Sequence, residues 1–275
     1  MTSRWPRRVL GIYVFVLALF LLAPIVMVIP MSFNNGGTLA FPPTGFSLRW
    51  YQDLAVSVPY REALLTSVIV TACATALSLT LALLSAYALT RFEFAGRSML
   101  ASLLVSPLIF PHIVLGLALV VFLSSVGLLR TYPGLIIGTT IVALPYAVRS
   151  LLPALMAVTR SVDEAALTLG ASRLQVIWRV ILPNIRPGFI SALMLCAIVV
   201  FDEFTVSLFV SGSDTVTLPV RIYHDSYYGV SPLIAAVGVV LIAVSVVAVL
   251  VLERTVGFER AMGLGAAEPP VRPEQ

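Results

Sequence analysis

Six stretches of this chain are long enough to cross a bilayer and carry almost no charge, and few folds can accept even one such stretch. They are Val9–Met31, Ala63–Leu89, Met99–Leu129, Gly134–Val148 with an extension to about Met156, Gly188–Val210 with two acids near its end, and Pro232–Leu252. A hydrocarbon core about 30 Å thick takes about 20 apolar residues of helix to cross, and backbone groups in lipid must be satisfied within the helix itself. The composition agrees: 59% of residues are hydrophobic and 11% charged, against about 45–50% and 25% in soluble domains. An all-α membrane protein with six transmembrane helices is therefore predicted, and 275 residues leave no room for a large soluble domain.

Arginine placement orients the spans. All seventeen basic residues are arginine. With the N-terminus inside, thirteen fall in cytoplasmic segments and four, Arg49, Arg61, Arg130 and Arg221, fall outside, so both termini are predicted to be cytoplasmic. The same bias accounts for the net charge of +4 without nucleic acid as a partner. The first apolar run exceeds the core of a cleaved signal, and no small-x-small site follows it before Pro30, so it is expected to remain as an anchor.

Residues 1–60 then form an anchor helix and an external loop, interrupted by Asn34-Asn35-Gly36-Gly37 and Pro42-Pro43, with one short helix near Leu48–Leu54. Residues 61–256 form the transmembrane domain. Residues 257–275, with Gly263, Gly265 and Pro269-Pro270, read as a flexible cytoplasmic tail.

Two function classes fall away on residue type alone. Cys73 and Cys196 lie in apolar runs and give neither zinc-ligand spacing nor a disulfide framework, so both read as small core residues. The chain has no lysine, which excludes a Walker A loop and a Schiff base. Any ATP must be bound by another protein.

Between the fourth and fifth spans lies a polar island. Ser161-Val162-Asp163-Glu164 fits a capping box and predicts a helix starting at Val162, with its acids at the positive end of the dipole. Gly170 is a natural left-handed stop. Ser172-Arg173-Leu174-Gln175 is a second capping box, and Leu174, Ile177, Trp178 and Ile181 follow at helical spacing, predicting a second amphipathic helix that Pro183 ends. A generic interfacial hairpin and a DNA-reading helix-turn-helix share this outline, but the latter needs a soluble three-helix core that the chain does not have.

Glu164-Ala165-Ala166, then Gly170, then Val180-Ile181-Leu182-Pro183 resemble the signature loop of permease subunits of binding-protein-dependent ABC importers, with Val180 where the family has isoleucine. The resemblance implies a type I (MetI-like) importer permease fold in a bacterial inner membrane. It implies that loop 157–187 is a coupling element docking on a cytoplasmic ATPase, with Glu164, Ala165, Ala166, Gly170, Leu182 and Pro183 in that role. Its implied partners are a second permease subunit, two ATPase subunits that hold the ATP, an extracytoplasmic solute-binding protein and membrane lipid. No cofactor, metal or catalytic residue is expected in this chain.

The substrate path is less sharply marked. Asp202-Glu203 lies about fifteen residues into the fifth span, near ~22 Å at 1.5 Å per residue, where a charge in lipid costs about 2.5–3.5 kcal/mol. Either both acids face a water-filled, cation-attracting path, or the helix ends near Phe201 and both are loop residues. His112, between Pro107, Pro111 and Gly116, is a further path candidate, the plainer reading being a histidine bonded to a neighbouring helix. His224 with Tyr223, Tyr227 and Tyr228 either meets a binding protein or anchors the membrane interface.

The run from Phe201 to Gly212, with Leu218-Pro219 and Gly229-Val230-Ser231-Pro232, resembles the second permease of spermidine/putrescine-type importers and implies a small cationic solute. The same subfamily includes importers of other small organic solutes, which stay open as an alternative, and two other classes compete with the importer reading. A proton-coupled secondary transporter would relay protons through Asp202, Glu203 and His112, and an intramembrane hydrolase would need a base beside Ser106 or Ser191.

Overall fold

The computed structural model describes residues 4–229 and 231–256; the expected tail at 257–275 lies outside them. Every regular element among the described residues is helical: α1 (Arg4–Ser32), α2 (Arg49–Val56), α3 (Val58–Arg91), α4 (Arg97–Val105), α5 (His112–Ser125), α6 (Tyr132–Met156), α7 (Arg160–Thr168), α8 (Arg173–Gln175), α9 (Leu182–Asn184), α10 (Arg186–Phe201), α11 (Thr205–Val210), α12 (Leu218–Tyr228) and α13 (Pro232–Val256). Of these, α1, α3 and α6 are each long and apolar enough to cross a membrane. The helical α2 falls where a short loop helix was expected.

Two of the expected single spans are broken. The third is α4 and α5, bent by 107°. Pro111 sits at the N-cap of α5, and a proline drives the residue before it, Phe110, out of the helical region. The fifth expected span, Gly188–Val210, stops at Phe201 and restarts at Thr205.

The chain separates into two compact units. The first holds residues 1–61 and 221–250. In it, α1 is apolar on all sides and uncovered, with Leu10, Phe15 and Phe20 exposed by 62%, 69% and 72%, which is how a helix facing hydrocarbon reads. The loop after α1 folds around the buried side chain of Asn34. Its Nδ2 donates to Thr38 O at 2.9 Å, and its Oδ1 accepts from the Thr44 amide and hydroxyl, each at 3.0 Å. Tyr227 and Tyr228 on α12 are exposed, their rings edge-to-face at 5.5 Å.

The second unit covers residues 62–220 and 251–256. Its centre is the packing of α6 on α10, with Leu135, Ala143, Ala147, Leu151 and Leu155 of α6 and Ala192 and Cys196 of α10 all 0% exposed. Cys196 is the core residue expected. Cys73 is exposed instead, because Val70 and Ala74 turn the neighbouring face of α3 inward and leave the thiol about 100° away from it.

Candidate functional site

Two places in the second unit gather the polar groups of an otherwise apolar chain: the hairpin from Arg160 to Asn184 and the break between α10 and α11.

The hairpin begins two residues earlier than expected. Thr159 is the N-cap of α7, and no side chain caps it, so the box expected at Ser161-Glu164 does not form. Asp163 has turned elsewhere. Its carboxylate takes the Arg91 guanidinium at the end of α3, with the side chains 7% and 8% exposed. Arg91 also donates to Val158 O at 3.0 Å, and Arg160 donates back to Thr90 O at 2.8 Å. Arg160 thus satisfies a carbonyl in the last turn of α3, and Arg91 one in the link between α6 and α7.

Gly170 does stop α7. It sits at φ +87°, the left-handed region that glycine enters without steric penalty, while its amide bonds Leu167 O and the amide of Ala171 bonds Ala166 O, the paired closure of a Schellman motif. The second capping box is present as expected, with Ser172 N donating to Gln175 Oε1 at 2.7 Å and Gln175 N to Ser172 Oγ at 3.3 Å.

Pro183 does not end the second helix. From Val176 to Ile181 the helix widens into a π turn and continues as α9 to Asn184. In a regular α-helix the proline ring would press on the carbonyl four residues back. The wider turn removes that contact, and the Asn184 side chain donates to Val180 O at 2.7 Å.

Burial divides the hairpin. Val176 and Ile181 are 0% exposed and Ile177 9%, holding one side to the core. The other side presents Leu167, Leu169, Leu174 and Trp178, exposed by 41%, 89%, 64% and 60%. Glu164, Ala165 and Gly170 lie on the exposed surface, Ala166 is half-buried against the core, Leu182 is half-buried and Pro183 exposed. Arg173 lies over the Phe92 ring at 5.1 Å, so adjacent residues of the α3 terminus, Arg91 and Phe92, hold the two arms of the hairpin.

At the second place, α10 spans sixteen residues, or about 24 Å, before it stops. Asp202 is exposed at its end, and Glu203 is buried at 6%. Glu203 Oε1 accepts from the Val206 amide at 2.8 Å, capping the start of α11, and Oε2 lies 3.3 Å from His112 Nδ1. His112 is the first residue of α5, so the second break in the apolar helices supplies the partner of the first. α11 lies close on α5: a Cβ at Gly116 would stand 2.7 Å from the Phe209 ring. The structure thus joins two of the three path candidates and leaves Asp202 without an ion pair among the described residues.

Sequence reasoning missed Arg91 and its tie to Asp163. The available signal was a lone arginine closing a run of more than twenty apolar residues, with no acid within its own helical turn.

The chain matches the family described as "Binding-protein-dependent transport system inner membrane component" over residues 78–256. It is 30% identical over 230 residues to the putrescine transport system permease protein PotI of Escherichia coli (strain K12), covering 81% of this chain and 82% of that protein. It is also 30% identical over 252 residues to the sulfate transport system permease protein CysW of the same strain, covering 86% and 83%. The structure of a bacterial alginate ABC transporter in complex with alginate pentasaccharide-bound periplasmic protein superposes with a TM-score of 0.71 at 19% identity, covering 93% of this chain and 96% of that one. That likeness is one of fold, the type I (MetI-like) importer permease fold. These relatives are transport components rather than enzymes, and the apolar helices fit a multi-pass inner-membrane protein. The chain belongs to the binding-protein-dependent transport system inner membrane component family, and is a permease subunit of an ABC importer resembling the spermidine/putrescine type.

Proposed function

We propose that this chain supplies half of the pathway of an ATP-driven importer and receives its driving force through the Arg160–Asn184 hairpin. The observation that carries this reading is the division of the hairpin. An outward apolar face at Leu167, Leu169, Leu174 and Trp178 invites a partner, since exposed apolar patches mark interaction surfaces, while the inward face is fixed to the core and to Arg91. A push on Glu164, Ala165, Ala166 or Gly170 then reaches α3 through Asp163, and reaches α10 through Leu182 and Pro183. The partner pushing is a cytoplasmic ATPase that binds the ATP. A second permease completes the path, an extracytoplasmic solute-binding protein delivers the solute, and lipid surrounds the whole.

In this reading six spans cross the bilayer (α1, α3, α4 with α5, α6, α10 with α11, and α13) and both termini are cytoplasmic, as the arginine distribution supports. The solute is small and cationic. Equal identity to a putrescine and a sulfate permease leaves solute charge to the chain's own groups, and the exposed Asp202 carboxylate at a helix break favours a cation.

The test is uptake and ATP hydrolysis in the assembled transporter. Glu164→Ala and Gly170→Val should abolish solute uptake while the chain still inserts and assembles. Wild-type uptake in both would falsify the coupling role. Asp202→Asn should weaken uptake of a diamine, and undiminished diamine uptake removes the cation assignment.

A further inference from the structure

Beside the junction of α3, α4, α6 and α7 is a cavity of about 530 Å³, separate from both the exposed hairpin face and the His112–Glu203 break. It is lined by Arg91, Arg97, Arg160 and Ser98 and by apolar residues including Leu152 and Met156. No acidic residue lines it. Arg91 is paired with Asp163 and Arg160 gives one nitrogen to Thr90 O, but Arg97 forms no ion pair among the described residues. Three guanidiniums against one carboxylate leave a local excess of two positive charges.

The start of α4 reinforces that field. Gly96 is its N-cap and no side chain caps it, so the positive end of a nine-residue helix opens where Arg97 and Ser98 line the cavity. A planar guanidinium fork matches a phosphate oxygen pair. The apolar side is equally specific. Met156 is 69% exposed at the last residue of α6, where an apolar span ends, so an anion held by the arginines would have hydrocarbon beside it.

We propose that this cavity is a binding site for the phosphate group of an anionic phospholipid, with the headgroup on Arg97 and Arg160 and the acyl chains along Leu152 and Met156. Basic pockets between spans at the cytoplasmic side suit such headgroups. The same phosphate chemistry is offered by free inorganic phosphate, from which the apolar wall distinguishes the lipid. The site would tie lipid to the junction that holds the hairpin, yet its occupancy is measurable whether or not the hairpin couples to an ATPase.

The full chain, purified in detergent, is titrated with phosphatidylglycerol and with phosphatidylethanolamine, and retained lipid is counted by native mass spectrometry. Phosphatidylglycerol should be retained in preference. Arg97→Gln and Arg160→Gln should each lower its apparent affinity about fivefold, and Arg97→Lys should keep most of it. Should Arg160→Gln misfold by losing its bond to Thr90, Arg97→Gln and Arg97→Glu decide, since Arg97 holds no ion pair among the described residues. Equal retention of the two lipids, or unchanged retention in the Arg97 variants, overturns the proposal. So does competition by millimolar inorganic phosphate as effective as that by the lipid, because the apolar wall would then contribute nothing.

Discussion

Arg91 and Asp163 stand 72 residues apart in the chain and form an ion pair whose two side chains are less than a tenth exposed. One closes a 34-residue apolar helix and the other sits in the first turn of the hairpin. Removing one partner of a buried pair leaves an uncompensated charge and costs about 3–5 kcal/mol, whereas replacing both with apolar residues is often near neutral. Arg91→Met and Asp163→Leu should therefore each lower the thermal midpoint of the purified chain, and the double variant should recover much of the loss. A double variant that falls by the sum of the singles contradicts a direct pairing.

Glu203 has two duties, one per oxygen. Glu203→Gln keeps an acceptor for the Val206 amide, while Glu203→Ala leaves that buried amide bare, which costs about 1–3 kcal/mol. The alanine variant should be the less stable by about that margin in denaturant unfolding. Equal stability of the two would show that capping of α11 is not what Glu203 contributes.

His112 should depend on the same carboxylate. If the 3.3 Å contact positions α5, then His112→Ala and Glu203→Gln are non-additive, and the double variant is no worse than the worse single. Uptake rates of the three variants in proteoliposomes read this directly, additive losses being the contrary result.

Close approach at Gly116 gives a test by rescue. A methyl group there meets the Phe209 ring, and overpacking of this kind costs about 1–3 kcal/mol. Gly116→Ala should destabilise the chain, and Phe209→Leu in the same chain should restore part of the loss. The check is the thermal midpoint of single and double variants.

Much of this architecture is legible in the residues themselves. Charge-free runs mark the apolar helices, a glycine and a Ser-x-x-Gln box mark the turn of the hairpin, and all of these signals act within a few residues of their cause. What escaped was set at a distance. The Ser161-Glu164 box gives way to a helix that starts at Arg160, and Asp163 pairs with Arg91 across the fold, which no periodicity in either segment records. The break before His112 escaped for a different reason: Pro107 and Pro111 announce a distortion, but hydrophobicity is the same on either side of a bend of any size. Asp202 and Glu203 are adjacent carboxylates, and only the positions of α5 and α11, which supply the His112 ring and the Val206 amide to Glu203 alone, tell them apart.

The π turn from Val176 to Ile181 acts as an angular setting. A wide turn holds one residue more than an α-helical turn, and one residue of helix is worth about 100° of rotation. The number of residues between Ser172 and Ile185 therefore decides which way Leu174 and Trp178 look when Ile181 and Ile185 are seated. Deleting a single residue from this turn would swing one set or the other out of place without altering the hydrophobicity of the segment, so arm length here is as much a determinant of the exposed apolar face as side-chain identity.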